Sequence, residues 1–168
     1  DAARLLAGRA GRVPRHRRSL WLSAARSLLF NRLLAERVAE GSWERGMAGE
    51  LFMLEGSDRC FHAEVLDETL VERLERLDIH PTGPLPGRGR EEVTGPCREL
   101  EERLTAEPPG WREALVRLGL KAERRPLRVS VRDLQWRLER DDLHLAFTLR
   151  RGSYATAVLG QIVRYRTP

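Results

Sequence analysis

The chain is poor in the residue types that most often announce a chemistry. Its basic side chains are nearly all arginine, Lys121 being the single lysine. It has two cysteines, Cys60 and Cys97, which form no C-x-x-C pair and are too few for a thiolate zinc site. No disulfide is required at this size, so both are read as reduced thiols. The four histidines, His16, His62, His80 and His144, are scattered without ligand spacing, which leaves no candidate metal site. There is no Walker loop, dinucleotide fingerprint or serine elbow, so nucleotide hydrolysis, nicotinamide chemistry and hydrolase-type acyl transfer have no support. No apolar run reaches the length needed to cross a bilayer. Basic Arg4 to Arg18 leads into an amphipathic segment, not into the apolar core of a signal peptide. No membrane association is expected, and the location expected is the cytoplasm. Trp21, Trp43, Trp111 and Trp136 read most simply as core or boundary aromatics.

What remains is an ordinary globular mixture of 168 residues, 41% hydrophobic and 33% charged, enough for one domain or two small ones. The first residue is Asp1 and the first methionine, Met47, lies inside a patterned segment, so the chain is expected to be a piece of a longer protein. Charge is uneven. Residues 1–40 carry +6, residues 41–120 carry −7 and residues 121–168 carry +6. That layout fits two ends sharing a surface that faces a polyanion, with an acidic body between; it also fits ordinary solvated faces.

Periodicity divides the chain into elements. Residues 1–18 read as a polar lead-in without strong structure. From Ser19 to Glu40 the pattern is helical, with Leu22, Ala25, Leu29 and Leu33 in one stripe widened by Phe30, Leu34 and Val38. Arg32 and Glu36 lie four apart on the outer face and can pair. Leu51–Leu54 and Cys60–Val65 flank Gly56, Ser57 and Asp58 and predict a hairpin. Asp67 opens a second helix carrying Leu70, Val71, Leu74 and Leu77. Ile79 to Gly95, rich in proline and glycine, predicts a loop or extended segment. Helices follow over Cys97–Ala106 and Trp111–Leu118. After Lys121 the period becomes two, through Leu127, Val129 and Val131, then Leu134, Trp136 and Leu138, then Leu143, Leu145, Phe147 and Leu149. This predicts an antiparallel sheet with one buried face, closed by a helix from about Tyr154 to Arg164. The best boundary lies near residue 120. The remaining residues are too few to bury much surface, so their sheet is expected to be completed by strands elsewhere.

Three stretches could carry function. Gly152 to Thr156 passes from strand to helix: Gly152 allows a sharp turn, and Ser153 can cap a helix whose free N–H groups attract phosphate. A plain capped turn is the simpler account. Arg15, His16, Arg17 and Arg18 precede a helix, and Arg124, Arg125 and Arg128 enter a sheet; such clusters can hold several RNA phosphates or merely keep the surface soluble. Pro81 to Gly87, PTGPLPG, is stiff and holds no acid or base. It reads as bracing or as a shaped partner loop.

Four separated stretches occur in order: Ser23 to Val38 (SAARSLLFNRLLAERV), PTGPLPG, Arg124 to Arg128 (RRPLR) and Gly152 to Leu159 (GSYATAVL). Together they resemble the downstream half of the tRNA pseudouridine synthases of the D family (TruD), over about Arg18 to Val163. That resemblance implies an α+β fold. Residues 1–120 would be a helical inserted domain peculiar to the family, and 121–168 the last antiparallel strands and helix of the catalytic domain. It implies a cofactor-independent and metal-independent isomerase that converts a tRNA uridine, position 13 in bacteria, to pseudouridine through an attacking aspartate.

The chain departs from the family pattern in places. The aspartate sits in a G-x-K-D stretch in that family, and no such stretch occurs here, since Ala122 follows Lys121. No catalytic residue is therefore assigned, and the piece alone is expected to be inactive. An F-G-x-Q-R-F-G stretch is also missing. After Leu159 the family's arginine and glutamate are replaced by Gly160 and Gln161, and a glycine inside a helix costs about 1 kcal/mol relative to alanine. The residues assigned to RNA contact are Arg15, Arg17, Arg18, Arg26, Arg124 and Arg125. Those assigned to the wall of the active cleft are Gly152, Ser153, Tyr154, Ala155 and Thr156. The partner expected is tRNA, bound by a monomer. The rival reading is a non-catalytic basic RNA-binding module.

Overall fold

The computed structural model describes residues 1–89 and 92–164. The chain divides into two compact units, Asp1–Arg128 and Val129–Pro168. In the first, a short helix α1 (Ala2–Leu6) precedes the long helix α2 (Arg15–Ala39). Next come β1 (Glu50–Leu54), β2 (Cys60–Ala63), α3 (Glu68–Glu75), β3 (Ile79–Leu85), α4 (Gly95–Thr105), α5 (Trp111–Arg117) and β4 (Glu123–Pro126). The four strands form one antiparallel sheet in the order β2-β1-β3-β4. The expected α+β class holds.

The stripe on α2 is where the sequence places it: Leu22, Ala25, Leu29, Phe30 and Leu33 are buried, while Val38 stays exposed. Its first half packs with Leu6 of α1 and with Ala114 and Leu115 of α5. Its second half packs Phe30 and Leu33 with Leu85, Leu100 and Leu127. The lead-in is therefore not without structure. Leu5 and Leu6 are too short an apolar run for periodicity to reveal, yet they seat α1 on α2. The expected hairpin forms between β1 and β2, with Phe52 opposite Phe61. Asp67 caps α3 by accepting the Leu70 N–H at 2.8 Å. Arg32 and Glu36 do not pair with each other. Arg32 donates to the Glu107 carbonyl and Glu36 meets Arg103, because neighbouring helices offer partners that local spacing does not show.

The prolines of PTGPLPG do not make a loop. This stretch runs through β3, which is buried along its whole length between β1 and β4. Proline has no N–H to give a ladder, which normally confines it to edges. Here the Pro81 carbonyl still accepts from Leu127 N–H at 2.8 Å. The Thr82 N–H donates to the Glu50 carboxylate at 3.1 Å. Gly83 lies beneath α2, where a Cβ would come within 2.9 Å of Leu33 Cδ2. The motif is a brace shaped for the helix above it.

Two buried ion pairs tie these pieces together. Arg37 in the last turn of α2 grips Glu50 of β1 with both nitrogens, at 3.2 and 3.0 Å, and neither side chain is accessible to solvent. Burial pushes the Glu50 carboxyl up, and Arg37 opposes that rise. Arg124 of β4 grips Glu101 of α4 at 2.8 and 2.6 Å.

The boundary lies at Arg128/Val129 rather than near residue 120, because β4 pairs with β3 through Arg124 opposite Pro84 and Arg125 opposite Gly83. The second unit holds β5 (Arg132–Glu139), β6 (Asp142–Thr148) and α6 (Ala155–Ile162). Its two strands form their own antiparallel sheet, Trp136 opposite Leu145 and Leu138 opposite Leu143. The expected three-stranded sheet with a buried face is thus corrected. The alternation is present, but residues 127–131 are irregular, and Leu134, Trp136, Leu138 and Leu143 stay exposed, Trp136 at 70%.

Removing one partner of the Arg37–Glu50 pair strands a buried charge, which costs about 3–5 kcal/mol, whereas replacing both by apolar groups is close to neutral. Glu50→Gln is expected to lower stability to urea by that amount and the double variant Arg37→Met, Glu50→Leu to recover only part of it, because the Met47 and Thr82 N–H groups lose their acceptor; equal loss in both would refute the account. The two thiols should also differ. Cys97 is buried, and burial first, then the Glu101 and Glu50 carboxylates, push its thiol well above the usual range; Cys60 is exposed. At pH 8 a maleimide should label Cys60 in the native protein and Cys97 only after unfolding, read by mass spectrometry.

Candidate nucleic-acid interface

From Ala2 to Ala35 the chain has eight arginines and no aspartate or glutamate. The fold gathers six of them, Arg4, Arg9, Arg12, Arg15, Arg17 and Arg18, at α1, the α1–α2 loop and the start of α2, all exposed. Arg15, Arg17 and Arg18 occupy the first turn of α2, whose N-cap is Pro14 with no side-chain cap and no acidic residue in that turn. A helix N-terminus carries partial positive charge from its unpaired N–H groups and favours anions. Three guanidiniums there repel that charge and one another. The first turn holds no acidic residue to offset the repulsion, and a polyanion would offset it. Arg4, Arg9 and Arg12 were not picked out as a cluster from sequence, because only the turn after α1 brings them beside α2. The signal available was the acid-free stretch itself.

The other assigned arginines behave differently. Arg26 is mostly buried and donates from Nη2 to the carbonyls of Leu85 (2.9 Å) and Lys121 (3.0 Å) and to Glu123 (3.2 Å). Arg124 is buried; besides Glu101 it donates to Thr82 Oγ1 at 3.0 Å and to the Thr82 carbonyl at 2.9 Å. Its partners hold the guanidinium charged despite burial. Arg26 and Arg124, assigned to RNA contact from the sequence, are therefore turned into the fold, and Arg26 Nε is buried without a partner among the described residues. Arg128 is also turned inward, donating to His80 Nδ1 (3.1 Å) and to the carbonyls of Glu44, Leu74 and Ile79. That bond leaves the proton of neutral His80 on Nε2, which meets Glu55 at 2.5 Å. Arg125 is half-buried, its guanidinium 5.1 Å from the Phe30 ring centre, and keeps an outward edge. Of the six assigned arginines, the structure brings Arg15, Arg17 and Arg18 together.

In the second unit, Gly152 has φ +91°, the left-handed turn that a glycine permits. Ser153 does not cap α6. Its N–H closes the turn onto the Arg150 carbonyl at 3.1 Å, and Tyr154 takes the N-cap position without a side-chain bond. The helix starts one residue later than the Gly-Ser pair suggests. Tyr154 is 77% exposed, and Ala155 and Thr156 are exposed in the first turn. Among the described residues no helix is long and apolar enough to cross a membrane.

The family model for tRNA pseudouridine synthase D (TruD) matches residues 6–162. A tRNA pseudouridine synthase D from Nitrosococcus oceani is 48% identical over 158 residues, covering 92% of this chain and 44% of the relative. One from Methylococcus capsulatus is 45% identical over 166 residues, covering 98% of this chain and 47% of the relative. The chain thus spans less than half the length of these curated relatives. A solved structure from Methanosarcina mazei, described as a tRNA pseudouridine synthase D, superposes with a TM-score of 0.64 at 22% identity, over 88% of this chain and 38% of that one. This likeness concerns the fold.

The inward and outward arginines should part on mutation. Arg124→Met leaves Glu101 buried without a partner and is expected to cost about 3–5 kcal/mol in urea unfolding. The exposed triple variant Arg15→Gln, Arg17→Gln, Arg18→Gln should unfold at or slightly above the wild-type midpoint, since it relieves repulsion at the α2 start; a clear loss of stability would contradict the assignment.

Proposed function

The chain belongs to the tRNA pseudouridine synthase D (TruD) family, and from that premise we propose that the protein containing it isomerises a tRNA uridine, at position 13, to pseudouridine. The observation that carries the reading is the identity of 45–48% with curated tRNA pseudouridine synthases D across nearly all of the chain. The exposed, acid-free arginine end supplies a surface suited to the substrate. The reaction needs an aspartate to attack the target nucleotide, the glycosidic bond to break, the base to turn and a carbon–carbon bond to form. Residues 1–168 contain no G-x-K-D stretch to provide that aspartate, so this part of the protein contributes binding and cleft wall and is inactive by itself. The protein acts as a cytoplasmic monomer without metal or organic cofactor.

In this proposal the inserted domain corresponds to the first unit, and the second unit belongs to the catalytic domain. The exposed apolar side chains of the hairpin support that division. Leu134, Trp136, Leu138 and Leu143 lie open on one sheet face, too much apolar surface for a lone two-stranded sheet to leave in water. Strands of the catalytic domain would cover them. The turn at Gly152, Ser153 and Tyr154, with Ala155 and Thr156 opening α6, would line the cleft. Arg15, Arg17 and Arg18, with the outer edge of Arg125, would hold tRNA phosphates.

The test uses the full-length protein and a tRNA transcript. Pseudouridine at position 13, read by carbodiimide-blocked primer extension, is the expected product. Charge reversal of Arg15, Arg17 and Arg18 should weaken tRNA binding and flatten the plot of log affinity against log salt by about 0.7–0.9 per lost phosphate contact. Binding without any pseudouridine would favour the non-catalytic RNA-binding module instead.

A further inference from the structure

Beside the first turn of α2 the surface is not flat. The start of α1, the α1–α2 loop and Trp21 enclose a hollow of about 140 Å³. Arg4 and Arg12 stand on its walls, Ala10 to Val13 form one side, and Asp1 supplies its one carboxylate. Trp21 is only half-buried and lies one helical turn after Arg17 and Arg18, so its open part faces this hollow at the edge of the arginine group. The hollow is the size of a single aromatic ring system. A duplex cannot enter it, because its bases are stacked away and its backbone is convex. An inorganic anion would need no indole. A base freed from its stack matches both features, the ring against Trp21 and the adjoining phosphates within reach of guanidinium forks.

We propose that this hollow seats one unpaired RNA base, stacked on Trp21, with its flanking phosphates held by Arg4 and Arg12. The proposal rests on the RNA-binding reading above and adds a mode to it: the arginine end engages a single-stranded segment as well as phosphates. Stacking supplies affinity without choosing a base, since every base offers a π face. Arg4 and Arg12 add a term that depends on salt. Arg15, Arg17 and Arg18, on the neighbouring turn of α2, would carry the strand onward.

The experiment compares a short oligouridylate with an RNA hairpin of equal phosphate number closed by a non-nucleotide linker, so that it offers no unpaired base, both bound to the full-length protein at one salt concentration and followed by fluorescence anisotropy. Trp21→Leu should weaken oligouridylate binding about tenfold, while Trp21→Phe, which keeps an aromatic face, should stay within about twofold of wild type. Neither should alter hairpin binding. The exposed pair Arg4→Gln, Arg12→Gln keeps the test decisive if Trp21→Leu fails to fold; it should weaken oligouridylate binding and lower its salt slope by roughly 1.4, for two phosphates. Equal oligouridylate affinity in wild type and the arginine pair would overturn the proposal, as would equal losses for hairpin and single strand. Pseudouridine formation in the same preparations separates the two readings. A protein that modifies tRNA but ignores these substitutions keeps its function and loses the subsite; one that binds no RNA loses both.

Discussion

The first unit depends on two buried arginine–carboxylate pairs that meet at one residue, Thr82. Its N–H goes to Glu50, which Arg37 holds; its hydroxyl and carbonyl receive Arg124, which holds Glu101. The same hydroxyl donates to the Leu51 carbonyl. Through this residue α2, β1, β3, β4 and α4 are fixed together. The cause lies in the local sequence. Prolines at 81 and 84 deprive β3 of regular ladder donors, so side-chain groups must supply what the backbone cannot. A charged pair kept out of water costs more in desolvation than a simple contact returns, unless every lone pair and N–H finds a partner. The carboxylate side of the pair comes close to that condition, with bonds to Glu50 from Arg37, Met47 N–H and Thr82 N–H, while Arg37 Nε stays buried without a partner among the described residues. The strand, the carboxylate and the helix end therefore act as one unit.

Arginine performs two opposite tasks here, which is why composition alone could not separate them. Arg26, Arg37, Arg124 and Arg128 each donate to a backbone carbonyl or a carboxylate inside the fold, several bonds to a fork. A lysine ammonium lacks the planar shape to reach such paired acceptors. Arg4, Arg9, Arg12, Arg15, Arg17 and Arg18 face water in a stretch without acids. RRPLR and Arg15–Arg18 look alike on the page. What distinguishes them is the partner: Glu101, Thr82 and Phe30 surround the first, while the second sits in a helix turn without an acidic residue.

Much of the architecture was legible because its signals are local. The stripe on α2, the Asp67 cap and the β1–β2 hairpin each follow from residues close in sequence. For PTGPLPG the sequence leaves loop and extended segment both open, because proline content argues against a central strand, and the compensation comes from Glu50, more than thirty residues away. The boundary at 128 was missed because alternation runs on through Leu127, Val129 and Val131. Only pairing shows that β4 belongs with β3 while β5 and β6 pair with each other. The candidate site was half legible. Arginine clusters are visible as text, but whether a guanidinium is free depends on acceptors brought in by the fold. The Trp21 hollow could not be read at all, since it needs α1, a helix too short to show periodicity.

The charge distribution acquires a physical meaning from this division. An acidic middle of −7 between basic ends sounds like a polyanion-binding surface at both ends, yet the inward turn of Arg124 and Arg128 removes two of the forks from the second basic block. The free field of the first unit is therefore concentrated at α1 and the α2 start, where the helix dipole already adds positive potential. An exposed charge cluster that destabilises its own helix is kept only where something else compensates. Local rules of helix design would place Asp or Glu in that first turn, and the chain places three arginines there. In the proposed reading, RNA with its closely spaced negative charge would relieve that repulsion.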